Sequence, residues 1–180
     1  VTETPRPGTI AGDAEFYAIL YRPHAVRPCA EGPTLQYFPD NDGSPQGDGP
    51  DLFVREPAFA CFETVSTAGA RGWDFILAAY HATWADGDED IIVEEAAQLS
   101  QVFATMKHAR PDEADLFVAG DFNLTPEVLK EHSPVADKTT GTGSTLNSSG
   151  ARTANLYDHL LVFDSHATLE LVMPAQVLDV

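Results

Sequence analysis

The sequence predicts a layered α/β protein, and three stretches carry that prediction. Leu116-Phe117-Val118-Ala119 is a short apolar run of the kind a strand buried on both faces requires, closed by Gly120 with Asp121 and Asn123 just beyond. Glu89–His108 sets Ile92, Ala96, Leu99, Phe103 and Met106 at spacings of three and four, an apolar stripe for a helix laid on a sheet. Ala58–Thr64 alternates as a strand does, with Phe59, Cys61 and Glu63 on one face and Ala60, Phe62 and Thr64 on the other.

The remaining elements follow in chain order. Residues 1–14, rich in Pro, Gly and Thr, read as an irregular lead-in. Phe16–Tyr21 reads as a strand stopped by Arg22-Pro23, and Leu35–Phe38 as a second extended piece. Residues 39–52 gather Asp, Asn, Gly and Pro and read as a long loop. Phe53–Tyr80 has the pattern of an antiparallel hairpin with a loop longer than two residues, its second strand Phe75–Tyr80 ending at His81. The acids Asp86, Asp88, Glu89 and Asp90 fit the start of the long helix, where carboxylates favour the free N–H groups and the dipole. Arg110-Pro111 ends that helix, and Thr125-Pro126-Glu127 starts a short one, with Thr as cap and Pro in the first helical position. Residues 137–153 read as a long surface loop, Leu156–Phe163 as a strand with Asp158 near its start, and Thr168–Met173 as a final strand.

A chain of 180 residues is expected to form one domain, here 1–180, with a sizeable core. No apolar run approaches the roughly 18 residues of a membrane-spanning helix, and the first residues carry no signal-peptide core. The chain starts with Val, so a chain processed or excised from something longer is expected; the compartment is left open. Twenty-eight acids against ten bases give a net charge of −18, which argues against non-specific binding to nucleic acid through a basic face. A bound divalent cation would reverse the sign locally. Cys29 and Cys61 are compatible with one disulfide or with two thiols.

The candidate chemistry lies at strand ends: Arg55-Glu56, His81, Asp121 with Asn123, and Asp158. Each has an ordinary structural explanation: a strand-entry surface residue, a core histidine, an Asx-turn and a turn cap. Together they supply an acid/base imidazole, a guanidinium for phosphate, and carboxylate and carboxamide oxygens that suit a hard divalent cation.

Five stretches, in this order, resemble the endonuclease/exonuclease/phosphatase superfamily, the DNase I-like proteins: Tyr17-Ala18-Ile19-Leu20-Tyr21-Arg22-Pro23, Arg55-Glu56-Pro57, the strand ending in His81, Gly120-Asp121-Phe122-Asn123, and Tyr157-Asp158. The resemblance implies a two-sheet α/β sandwich flanked by helices and a phosphoesterase that uses Mg²⁺, with Mn or Ca as alternatives. It implies phosphate-ester substrates, DNA among them. It assigns His81 to acid/base chemistry, Asp121 and Asn123 to the metal, the water and the phosphate, Arg55 to a phosphate contact, and Asp158 to the orientation of a second histidine, with Tyr157 beside it. The alternatives are a phosphatase or phosphodiesterase acting on small or lipid phosphates, and a non-catalytic relative that serves as a binding domain. Nothing before Tyr17 matches the family's Glu-bearing strand, and no terminal Ser-Asp-His is present. Asp164-Ser165-His166 has similar letters in the wrong order, only eight residues beyond Asp158, and reads as strand edge. An incomplete sandwich is therefore expected, with exposed sheet covered by a partner chain or an oligomer. The chain alone is expected to hydrolyse poorly, with Glu56, Asp86 or Asp88 as the acids that could take the missing roles.

Overall fold

The structure, a computed structural model, describes residues 2–3, 16–39, 52–65, 72–84, 89–133, 135–137, 139–140, 143–146, 149–163 and 175–176. A seven-stranded mixed sheet organises them. Its central strands are β5 (Ala58–Thr64), β6 (Asp74–His81), β7 (Leu116–Asp121) and β10 (Asp158–Val162), in that spatial order. β3 (Val26–Pro28) and β4 (Gln36–Tyr37) both pair with β5, and β8 (Ala136–Asp137) closes the other side against β10. β6 and β7 are parallel; the other pairs of this sheet are antiparallel. Two small pairings lie outside it: β1 (Thr2–Glu3) with β2 (Ala18–Ile19), and β9 (Thr139–Thr140) with β11 (Ala175–Gln176).

The parallel pair needs a crossover, and the long helix supplies it. α1 (Glu89–Ala109) begins with Glu89 and Asp90 and ends with Lys107 and His108, charges that match its dipole. All five residues of the expected stripe are buried, with Val102 beside them, against Phe59, Ile76, Leu116, Val118 and Leu161 of the sheet. Each large side chain so buried contributes on the order of 1.5–3 kcal/mol. The alternation read in Ala58–Thr64 holds: Phe59 and Cys61 join the cluster beneath α1, while Ala60 and Phe62 join a second cluster with Ile19, Tyr21, Phe75 and Leu77.

Several expectations need correction. Phe16–Tyr21 is not a six-residue strand; Ala18–Ile19 alone pairs, and it does so with Thr2–Glu3 from the supposed lead-in. The turn at residues 23–25 and the Pro at 23 shorten it. Thr125 precedes α2 (Pro126–His132) with extended backbone, but its side chain makes no capping hydrogen bond; the Pro at the first position needs no donor partner. The 137–153 segment is not wholly loop, because Thr139–Thr140 pairs with Ala175–Gln176 and Leu146 bridges Arg152. Cys29 and Cys61 form a disulfide. Residues 40–51, the acids Asp86 and Asp88, Asp164-Ser165-His166 and the expected strand Thr168–Met173 lie outside the described residues.

Candidate active site

Strand register brings the polar strand ends together. In the parallel pairing of β6 with β7, His81 stands opposite Asp121; in the antiparallel pairing of β7 with β10, Asp121 stands opposite Asp158. The three therefore form a row across three adjacent strands. Cross-strand partners share a face, and the alternation places this row on the face away from α1. Gly120 makes the close approach possible. Its φ is +154°, and a Cβ there would stand 1.7 Å from the Tyr80 carbonyl oxygen, so a side chain would push β6 and β7 apart just before the row.

The turns that follow these strands are stitched to one another. Ala82 N–H donates to the Asp121 carbonyl at 2.9 Å, and Phe122 N–H donates to the Tyr157 carbonyl at 2.8 Å. Arg55 Nη1 donates to the Ala82 carbonyl at 3.0 Å, and Asn123 Nδ2 donates to the same oxygen, also at 3.0 Å. One carbonyl thus joins the guanidinium and the carboxamide. Asn123 adopts a left-handed backbone, φ 51°, which Asn tolerates, and its N–H donates to Asp121 Oδ1 at 2.9 Å. The Asx-turn and the functional reading therefore coexist in one turn. Tyr157 and Asp158 are held at the same rim by their N–H groups, which donate to Ser144 Oγ at 3.1 and 2.9 Å. Tyr17 Oη accepts from His81 N–H at 3.2 Å.

The electrostatics suit a cation. Burial pushes the Asp121 carboxyl above the usual range, and the Asp158 charge pushes it further; the Asn123 N–H, His81 and His159 pull it back. Among the described residues, no Lys or Arg forms an ion pair with either carboxylate. No group of three or more His, Cys, Asp or Glu side chains with metal-binding geometry occurs among them either. The donor set still fits Mg²⁺, which commonly takes one or two carboxylates and completes its shell with water and phosphate oxygens. Asp121 is the main candidate; Asn123, whose amide nitrogen is engaged by Ala82, would contribute its oxygen.

Arg55, one of the residues that had an ordinary surface explanation, is buried, as is Glu56. Two site-shaping residues were missed by sequence reasoning. His159 is buried, lies T-shaped against Phe122 with ring centroids 5.6 Å apart, and sets Nε2 2.9 Å from the Leu124 carbonyl, bracing the 121–124 turn. Glu95 is buried among the apolar residues of α1. Both carried a signal, a titratable residue on an otherwise apolar face, which burial tolerates only when the group is bonded.

No protein-family model matches the chain. The fold is that of the endonuclease/exonuclease/phosphatase, DNase I-like proteins. An endonuclease/exonuclease/phosphatase family protein of Bacteroides thetaiotaomicron superposes with a TM-score of 0.54 at 17% identity, over 91% of this chain and 61% of that one. A second such protein, from Bacteroides vulgatus, gives a TM-score of 0.49 at 17% identity, over 88% and 63%. In sequence, the chain is 34% identical over 158 residues to a curated protein named deoxyribonuclease from Thioalkalivibrio sp. (strain K90mix), over 84% of this chain and 39% of that relative. The chain thus spans about two fifths of the length of the curated relative it matches.

Proposed function

We propose that this chain carries the central part of a Mg²⁺-dependent phosphodiesterase active site, and that DNA is its substrate. The row His81–Asp121–Asp158 on three neighbouring strands, with Arg55 and Asn123 meeting at one carbonyl, is the observation that supports this reading most. The identity to a protein named deoxyribonuclease points the substrate toward DNA.

In this reading Arg55 binds the non-bridging oxygens of the scissile phosphate. Arg55 is oriented by the Ala82 carbonyl, and its guanidinium charge complements the ester. His81 handles a proton near the phosphorus and Asp121 orients the attacking water, while Asp158 keeps the rim negative. Asp121 and Asn123 would hold Mg²⁺, which would supply charge neutralisation at the phosphate.

A phosphatase acting on small phosphate esters is the second reading, favoured by one observation: an excess of eighteen negative charges repels a polyanion more than a small ester. The test uses the complete protein that contains this chain. Supercoiled plasmid and a small phosphomonoester are supplied side by side, with Mg²⁺ or with EDTA. Nicking that needs Mg²⁺ and falls about 100-fold or more in His81→Ala is expected, since a positioned acid/base group contributes roughly 10²–10⁴-fold. Turnover of the monoester alone would select the second reading, and no Mg²⁺-dependent hydrolysis of either would sink both.

A further inference from the structure

Glu95 lies on the buried stripe of α1, between Ile92 and Leu99, where the helix needs apolar surface and a carboxylate is costly. Three donors satisfy it. Oε1 accepts from Val54 N–H at 2.7 Å, and Oε2 accepts from the Tyr80 hydroxyl at 2.7 Å and from Thr83 N–H at 3.2 Å. None of the three belongs to α1, so the carboxylate contributes nothing to the helix itself. Val54 immediately precedes Arg55. Thr83 immediately follows Ala82, the residue whose carbonyl accepts from Arg55 Nη1 at 3.0 Å. Tyr80 immediately precedes His81. The segment that carries Arg55 and the segment that receives its guanidinium belong to different parts of the chain, and Glu95 binds both.

We propose that Glu95 is a positioning residue that fixes Arg55 for phosphate binding by clamping Val54 and Thr83 to one carboxylate. The inference rests on the phosphoesterase reading above. The clamp sets the distance between the backbone at Arg55 and the Ala82 carbonyl, and so the orientation of the guanidinium. Displacements on the order of 1 Å at such a group cost about 100-fold in rate. Glutamine has nearly the same shape but only one acceptor oxygen. Placed in Glu95→Gln, its NH₂ must face either Val54 N–H or the Tyr80 and Thr83 donors, and one side of the clamp opens.

The experiment measures inorganic phosphate affinity by calorimetry, and kcat and KM on the hydrolysed ester, in the complete protein. Four forms are compared with the unaltered protein: Glu95→Gln, Arg55→Ala, the double variant, and Leu99→Ala. Leu99→Ala perturbs the same helix without touching the clamp. The expected result is a tenfold or greater loss of phosphate affinity in Glu95→Gln, shrinking to less than about threefold when Arg55 is already Ala, because a residue that acts through another loses its effect when that one is gone. Leu99→Ala, although destabilising, should leave phosphate affinity within threefold. Equal losses with and without Arg55, or unchanged affinity in Glu95→Gln, would overturn the proposal. Phosphate affinity is readable whether or not hydrolysis occurs. A Glu95 effect that vanishes with Arg55, in a protein without Mg²⁺-dependent hydrolysis, would uphold the clamp as a phosphate-site device and remove the catalytic reading alone.

Discussion

The two ends of one sheet are built on opposite electrostatic plans. At the start of β6 and β7 the charges are closed against each other. Arg110 is mostly buried; it pairs through Nη2 with Asp74, lies 3.5 Å from Glu113 Oε2, and sets Nη1 2.8 Å from Cys61 Sγ and 3.3 Å from Cys29 Sγ of the disulfide. Trp73 Nε1 donates to Asp115 Oδ2 at 2.7 Å, and Lys107 Nζ donates to the Glu113 carbonyl at 2.6 Å. At the far end of the same two strands, about 23 Å away by strand rise, Asp121 and Asp158 face each other with no lysine or arginine ion pair among the described residues. The difference separates structure from function. A closed cluster holds the sheet together; an open pair of carboxylates stores repulsion that a cation can relieve. Substitutions should therefore have opposite signs at the two ends.

The largest effect on stability is expected at the closed end. Arg110→Met leaves the buried Glu113 and the partly buried Asp74 without their cation and should destabilise the fold by up to about 3–5 kcal/mol, the usual result of breaking one side of a buried pair. Urea unfolding measures it, and kcat per folded molecule should stay unchanged. A loss under 1 kcal/mol would mean that the cluster is not closed in the sense argued here.

At the open end the sign reverses. Asp121→Asn removes one of two facing carboxylates, keeps an oxygen for the Asn123 N–H, and should raise the melting temperature while lowering kcat/KM at least 100-fold. The gain in stability is small, about 1 kcal/mol or less, because solvent screens a half-buried pair. A lower melting temperature would show that the pair is not strained and would erase the contrast.

Glu95 gives a pH test of the same site. Burial raises its pKa above that of an ordinary glutamate, about 4.3, although Tyr80, Val54 and Thr83 pull it down. A raised folded-state pKa means that the folded state holds the proton more tightly. The associated stability is present below the unfolded value and is lost as pH rises through the folded one. The unfolding free energy of the unaltered protein minus that of Glu95→Gln should therefore fall between pH 4 and pH 8. A difference that grows with pH would reverse the assignment.

The smallest effect concerns the whole surface. Eighteen excess negative charges repel one another, and raising salt from 0.1 M to 1 M shortens the screening length from about 10 Å to about 3 Å. The melting midpoint should rise by a few degrees, and Asp121→Asn should respond slightly less than the unaltered protein. A flat or falling midpoint in KCl would count against self-repulsion.

Much of this molecule was legible in the residues. Periodicity located α1 and its five stripe residues because a helix on a sheet must repeat every three or four positions. Alternation assigned both faces of β5 for the matching reason of period two. Motif order picked out His81, Asp121, Asn123, Asp158 and Arg55, which sit at strand ends where polar groups interrupt apolar runs. Other features depend on separations of dozens of residues, and local patterning holds no record of them. Register alone set His81 and Asp158 on either side of Asp121. Arg55 and Asn123 meet through the Ala82 carbonyl, a backbone atom with no sequence signature. Cys29 and Cys61 could have stayed apart until β3 and β5 paired. Glu95 was visible only as a charge misplaced on an apolar stripe, since the meaning of a buried carboxylate is fixed by the donors that surround it, and those come from elsewhere in the chain.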